Sequence, residues 1–169
     1  MSDSPYLIRR DQVSKARRRF RHPWNPDSEV ILTQLAPLTG LKRTGVSLVS
    51  IPPGKQSFVP HMHHREEEWV YIISGSGTAD MGDDHYPVEA GDFMGFPPAT
   101  VAHNLRNTGD ETLVYLMGGE SLKHEIADFP EHGRRMIRLG ETMDIFDLSD
   151  SRPMDPFTLD KVEDEGGDD

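Results

Sequence analysis

The chain contains no cysteine, so it forms no disulfide and offers no thiolate, and any metal it binds is held by nitrogen and oxygen donors. No apolar run approaches the ~20 residues needed to cross a bilayer. A hydrophobic fraction of 35% and a mean hydropathy of −0.60 describe a polar chain. The N-terminus, Met1-Ser2-Asp3-Ser4-Pro5, runs into Arg9-Arg10-Asp11 without the apolar core of a secretory signal, which makes the cytoplasm the expected location. No internal repeat is visible, and 169 residues point to one domain. A chain of this size buries about 70% of its unfolded surface. Neither a helix-turn-helix pattern nor an aromatic RNA-binding signature is present.

Charge is present but unevenly spread. Residues 1–65 carry eleven Lys/Arg against four Asp/Glu, whereas residues 66–169 carry seven against twenty-five. The basic half is concentrated in Arg9, Arg10, Lys15, Arg17, Arg18, Arg19 and Arg21. Such an arm can contact nucleic-acid phosphates. With a net charge of −11 and no accompanying motif, nucleic acid is not the expected partner. A segment that packs over the rest of the chain or a neighbouring subunit is expected instead. Pro23, Trp24 and Pro26 argue against a long helix there.

From Gly45 to about Gly119, short β-branched and aromatic segments alternate with Gly/Pro/Asp turns, the pattern of an all-β sandwich or barrel. Val46–Ile51 reads as one strand, closed by Pro52-Pro53-Gly54. Glu68–Ile73 is another, stopped by Ser74-Gly75-Ser76-Gly77. Gly82-Asp83-Asp84 reads as a hairpin tip between Thr78–Met81 and His85–Val88, and Thr112–Met117 is the last clear strand. Residues 121–157 are mixed, with one short helix or further strand expected to wrap the outside.

Three histidines and a glutamate fall where two neighbouring hairpins can converge them. His61 and His63 are two apart, so in a strand their imidazoles share a face while Met62 points the other way. Glu68 opens the next strand, and His103 lies in a second cluster downstream. Three neutral nitrogens and one carboxylate oxygen suit a divalent first-row metal: Zn, Fe, Mn, Ni, Co or Cu. A lone histidine is more often structural than a ligand, and His22, His64, His85, His124 and His132 have no partner at a telling spacing. The Glu66-Glu67-Glu68 run reads equally as a solvated face. By strand parity Arg106 and Tyr71 point away from the ligands, whereas Val59, Val70 and Ile72 share the ligand faces. Tyr115 and Met117 face the pocket if their strand has the matching parity; ordinary core is the expectation for all of these.

The two clusters resemble the paired motifs of the cupin family. Gly54, His61, His63, Glu68 and Gly75 match the first motif; Gly91, Pro97, His103 and Asn107 match the second. Ala99 stands where the family has glycine, and one extra residue precedes His103. The resemblance covers roughly residues 40–120, and Thr44 to Gly119 looks like a group of stand-alone bacterial cupins with no settled activity. It implies a double-stranded β-helix, or jelly-roll barrel, at residues 29–120. An arm at 1–28, an extension packing on the barrel at 121–157 and a disordered acidic tail at 158–169 complete the expected organisation. It also implies His61, His63, Glu68 and His103 as ligands of one divalent transition metal, and a homodimer paired through an outer face. Two functions are then expected in order: a metal-dependent enzyme on a small organic substrate (oxygenase, decarboxylase or isomerase), and a non-catalytic metal-dependent binding or sensing module. A DNA-contacting regulator ranks third.

Overall fold

The computed structural model describes residues 4–152, so the tail expected at 158–169 lies outside the described residues. Thirteen strands dominate it: β1 Arg18–Phe20, β2 Val30–Gln34, β3 Thr44–Ile51, β4 Met62–His63, β5 Glu68–Ser74, β6 Ser76–Met81, β7 Asp84–Glu89, β8 Phe93–Phe96, β9 His103–Arg106, β10 Leu113–Glu120, β11 His124–Phe129, β12 Arg134–Leu139 and β13 Thr142–Asp147. Two short helices, α1 (Arg10–Lys15) and α2 (Leu35–Leu38), flank the first strands.

The strands form a six-stranded sheet in the order β1-β2-β3-β10-β5-β8, a three-stranded sheet β7-β6-β9, and a four-stranded sheet β13-β12-β11-β4. β10 is the central strand, paired antiparallel to β3 on one side and β5 on the other. The alternation in β3 and β10 places Val49, Ile51, Leu113 and Tyr115 on the inner face, where all four are buried. Together with Val70 and Ile72 of β5 they pack against Ala79, Val88 and Leu105 of the three-stranded sheet to form one core.

Turn chemistry closes the sheets. Gly75 joins β5 to β6 at φ 81°, and a Cβ there would lie 2.7 Å from the Thr112 carbonyl oxygen, so only glycine fits. Asn107 is buried and clamps the turn before β10, donating from Nδ2 to the carbonyls of Ile51 (2.7 Å) and Glu111 (2.8 Å) while Oδ1 accepts from Gly109 N–H (3.1 Å). Ala99 sits at φ 55°, the only positive φ of a non-glycine residue among the described residues. Its N–H donates to the His63 carbonyl at 2.7 Å, tying the β8–β9 loop to the strand that carries His63.

Two segments differ from the sequence reading. The arm is partly strand: β1 pairs with β2 in register (Arg18↔Leu32, Phe20↔Val30) and becomes an edge of the main sheet. Beyond residue 120 the expected helix or single strand is instead three strands. Residues 124–129 and 134–139 alternate with period two, and Gly133 turns the chain between them at φ 58°. β11 then pairs with β4 (Ala127↔His63, Asp128↔Met62), so this part of the chain forms a wall beside the histidines. No helix among the described residues is long and apolar enough to cross a membrane.

Candidate metal centre

His61 and His103 face each other across an isolated antiparallel bridge, with His61 N–H donating to the His103 carbonyl (3.2 Å) and His103 N–H to the His61 carbonyl (2.9 Å). That reciprocal pair fixes two imidazoles side by side, ring centroids 5.0 Å apart. His63 follows His61 on the same face, and β5 brings Glu68 in from the neighbouring sheet. The donor atoms of His61, His63 and Glu68 all lie within 4.8 Å of one another. His103 comes to the same place through Glu68.

All three Nε2 atoms face a single oxygen. Glu68 Oε2 is 3.0 Å from His103 Nε2, 3.5 Å from His63 Nε2 and 3.8 Å from His61 Nε2. Donors held at about 2.1 Å from one ion stand about 3.0–3.5 Å apart, so the three distances to Glu68 Oε2 are near those of a small divalent cation's ligands, while His103 stands outside the tight His61–His63–Glu68 group. His103 has acceptors on both ring nitrogens, Val101 O at 3.2 Å and Glu68 Oε2 at 3.0 Å, an arrangement that a proton or cation between Nε2 and Oε2 satisfies. The ring is locked in place by Phe96, stacked on it at 3.6 Å between centroids and 2° between planes.

The outward nitrogens are held in two ways. His61 Nδ1 and His103 Nδ1 meet the backbone carbonyls of Val59 (3.0 Å) and Val101 (3.2 Å), which sets their tautomers with Nε2 toward the cluster. His63 Nδ1 instead faces two buried carboxylates, Glu125 Oε1 at 3.6 Å and Glu66 Oε2 at 3.9 Å, and makes no hydrogen bond. Glu66 Oε1 accepts from Leu122 N–H at 2.6 Å and pairs with Arg138. Glu125 Oε1 accepts from the N–H groups of His64 (3.0 Å) and Arg65 (3.2 Å).

Parity reasoning holds for the residues around the cluster. Arg106 points away into a bidentate pair with Asp80 (2.7 Å for each bond), and Tyr71 is exposed. Tyr115 and Met117 line a small inner space beside Glu68 and His103, together with Val70, Met94 and Leu105. Burial, with the Glu68 charge adding to it, pushes the Tyr115 phenol up, so it is a neutral hydroxyl at physiological pH. His64 and His85 are structural, paired with Asp128 (2.8 Å) and Asp80 (2.7 Å). His22 lies on the wall of the cavity that opens over the cluster, and burial with the neighbouring His132 and His61 lowers its imidazole below 6.5. The three-glutamate run also divides, with Glu66 buried, Glu67 exposed and Glu68 in the cluster.

That cavity has a volume of about 430 Å³, within the range of small-molecule sites. Its walls come from the arm (Phe20), from the β3–β4 loop (Phe58) and from the strands after residue 120 (Ala127, Phe129, Met136, Met143). Its floor is His61, His63 and Glu68. Gly118 also lines it, and only glycine fits there, because a Cβ would run into the Trp69 indole.

Titration follows from these contacts. Burial opposes the charge of Glu68, but the three imidazoles outweigh it and hold the carboxyl well below 4.5. Burial likewise opposes charge on His63, and Glu68, Glu125 and Glu66 outweigh it, raising the imidazole above 6.5. In the metal-free chain the Glu68 contribution to stability is present above 4.5 and lost as pH falls through its lower folded value; the His63 contribution is present below 6.5 and lost as pH rises through its higher one. The urea midpoint of metal-free protein is therefore expected to be highest between pH 4.5 and 6.5 and to decline on the alkaline side, and His63→Ala should flatten that decline. An unchanged alkaline slope in the variant would assign it to another group.

An antiparallel barrel with a histidine–glutamate cluster at its mouth defines a class of small β-proteins built around a candidate metal site. Residues 47–119 match the family model described as "Cupin domain". The chain is 30% identical over 114 residues to protein SchB of Streptomyces halstedii, covering 66% of this chain and 76% of that one. The chain belongs to the cupin family, and its fold is the double-stranded β-helix. It is also 36% identical over 80 residues to the oxalate decarboxylase OxdC of Bacillus subtilis, of which it spans only 20%. Among solved structures, it superposes with a TM-score of 0.84 on a protein of Acidithiobacillus ferrooxidans named provisionally as a sugar phosphate isomerase, at 36% identity over 89% of this chain and 97% of that one. A cupin-superfamily sugar phosphate isomerase from Silicibacter pomeroyi gives a TM-score of 0.69 at 22% identity, over 74% of this chain and 80% of that one, a likeness of fold alone.

Proposed function

We propose that this protein holds one divalent transition metal through His61, His63, Glu68 and His103 and acts on a small organic substrate that enters through the cavity above them. The observation that carries the reading is the convergence of three Nε2 atoms on one Glu68 oxygen at 3.0–3.8 Å. His61, His63, Glu68 and His103 would hold the ion, which when bound would supply Lewis acidity or, for a redox metal, electron transfer. The chain's own residues do the rest. Val59 and Val101 carbonyls orient the His61 and His103 imidazoles, Phe96 stacks on the His103 ring, and the apolar lining excludes water. The family supports decarboxylation, oxygenation and isomerisation on such ligands, so the fold does not choose among them.

A binding or sensing module is the second reading. It is favoured by the inner lining, which apart from the ligands is mostly apolar and places a neutral Tyr115 where a base would act. Elemental analysis of untagged protein, before and after reconstitution, tests the metal. Near one equivalent per chain is expected, and a chain that retains less than a tenth after reconstitution would rule the metal reading out. Turnover of any small organic substrate by the loaded protein would exclude the pure-binding reading.

A further inference from the structure

The wall of the 430 Å³ cavity has an unusual charge pattern for a protein whose structural relatives carry sugar phosphate names. No lysine or arginine among the described residues lines it. Its charged members are all acidic: Glu68 at the floor, Glu66, and Glu67 and Glu120 at the rim. Arg138, which does not line the cavity, is paired with Glu66. Besides the polar His22 and Ser47, the wall is mainly apolar, led by Phe20, Phe58, Phe129 and Met136, with Met143 at an exposed lip.

From this lining we infer that the cavity takes a compact, apolar, preferably aromatic small molecule that presents one oxygen-bearing head to the His61–His63–Glu68 floor and carries no phosphate. The inference rests on the proposed metal site for the head and on the cavity wall alone for the body. A phosphate dianion held against the wall, away from the floor, meets carboxylates and no lysine or arginine among the described residues. Desolvating such a charge without a partner costs several kcal/mol, so phosphate recognition normally uses arginine, lysine or a helix N-terminus. Aromatic rings and thioethers reward an aromatic body: they supply large contact areas, edge-to-face geometry and adaptable sulfur contacts. A head with a single negative charge matches the one net positive charge left when a divalent ion meets the Glu68 carboxylate.

Zinc-loaded and metal-free full-length protein are titrated by calorimetry with benzohydroxamic acid, acetohydroxamic acid and fructose 6-phosphate, with zinc content measured alongside. The first two share one metal-binding head and differ in the ring. Benzohydroxamate is expected to bind the loaded chain at least about tenfold tighter than acetohydroxamate, since even one extra methylene in an apolar pocket is worth about tenfold or more. Fructose 6-phosphate is expected to bind no tighter than acetohydroxamate. Met143→Lys, at an exposed lip where the fold tolerates a charge, is expected to tighten fructose 6-phosphate several-fold at unchanged zinc content. If zinc is not held but the ring preference persists in the metal-free chain, the metal reading falls and the head with it, and the inference for the apolar, phosphate-free body stands. Equal affinity for the two hydroxamates, no saturable binding of benzohydroxamate in either form, or tighter binding of the sugar phosphate to the unmodified chain overturns it.

Discussion

His61→Ala is expected to leave a folded protein that loses more than a hundredfold in metal affinity. Loss of a partner behind a ligand already costs about 10–100-fold, and loss of a ligand costs more. His61 suits the test because its side chain supports little else: Nδ1 reaches one backbone carbonyl, and its backbone bridge to His103 survives substitution. His63→Ala is expected to behave alike. His103→Ala is the sharper case. His103 meets the cluster through Glu68 and stands outside the tight His61–His63–Glu68 group. If it is the fourth ligand, its loss also exceeds a hundredfold, with a stability loss of about 0.5–1.5 kcal/mol from the broken stack on Phe96. His85→Ala, which removes an exposed partner of Asp80, is the control and should hold metal like the wild type. Equilibrium dialysis against a buffered zinc series, with far-UV circular dichroism on each variant, reads all four. Affinity within a few-fold of wild type in His103→Ala would reduce the site to three ligands.

What the sequence made legible was local. The i, i+2 spacing of His61 and His63 needed only strand parity, and the same rule sent Arg106 and Tyr71 outward, as found. Gly75 marked a turn whose geometry the structure explains through φ 81°, whereas Asn107 entered only as a motif position, and its three hydrogen bonds show that it clamps a turn. The far wall was not legible. Phe129 and Ala127 reach the site through β4, a strand of two residues whose register with β11 no hydrophobic pattern specifies. Phe20 and His22 arrive through a three-residue edge strand inside a segment that reads as a basic arm. Glu66 hid in a charge run because its exception to the solvated reading depends on Arg138, seventy-two residues away. Glu125 left one trace: it shares a strand face with Ala127 and Phe129, and an acidic residue in phase with inward apolar ones calls for a buried partner.

That partner gives the second large effect. Glu125 is 1% exposed, and among the described residues its only ionic partner is the His63 imidazole, whereas the charge of Glu66 is matched by Arg138. A buried carboxylate so placed does two separable things. Its Oε1 accepts from two backbone N–H groups at the turn between β4 and β5, and its charge faces the nitrogen of His63 that points away from the cluster. Glu125→Ala removes both. The His64 N–H keeps the Ile126 carbonyl at 2.8 Å, whereas the Arg65 N–H is stranded, so the variant is expected to lose about 1–3 kcal/mol in urea unfolding. Glu125→Gln keeps an acceptor for the turn and removes the charge. It is expected to stay closer to wild type in stability while metal affinity falls about tenfold or more, as when the carboxylate behind a ligating histidine is lost. The urea midpoint and the zinc dissociation constant of the two variants separate the roles. Wild-type affinity in Glu125→Gln would make Glu125 a turn clamp alone and leave the orientation of His63 to its own strand. A drop in affinity at near-native stability would show that the wall after residue 120 tunes the centre it encloses.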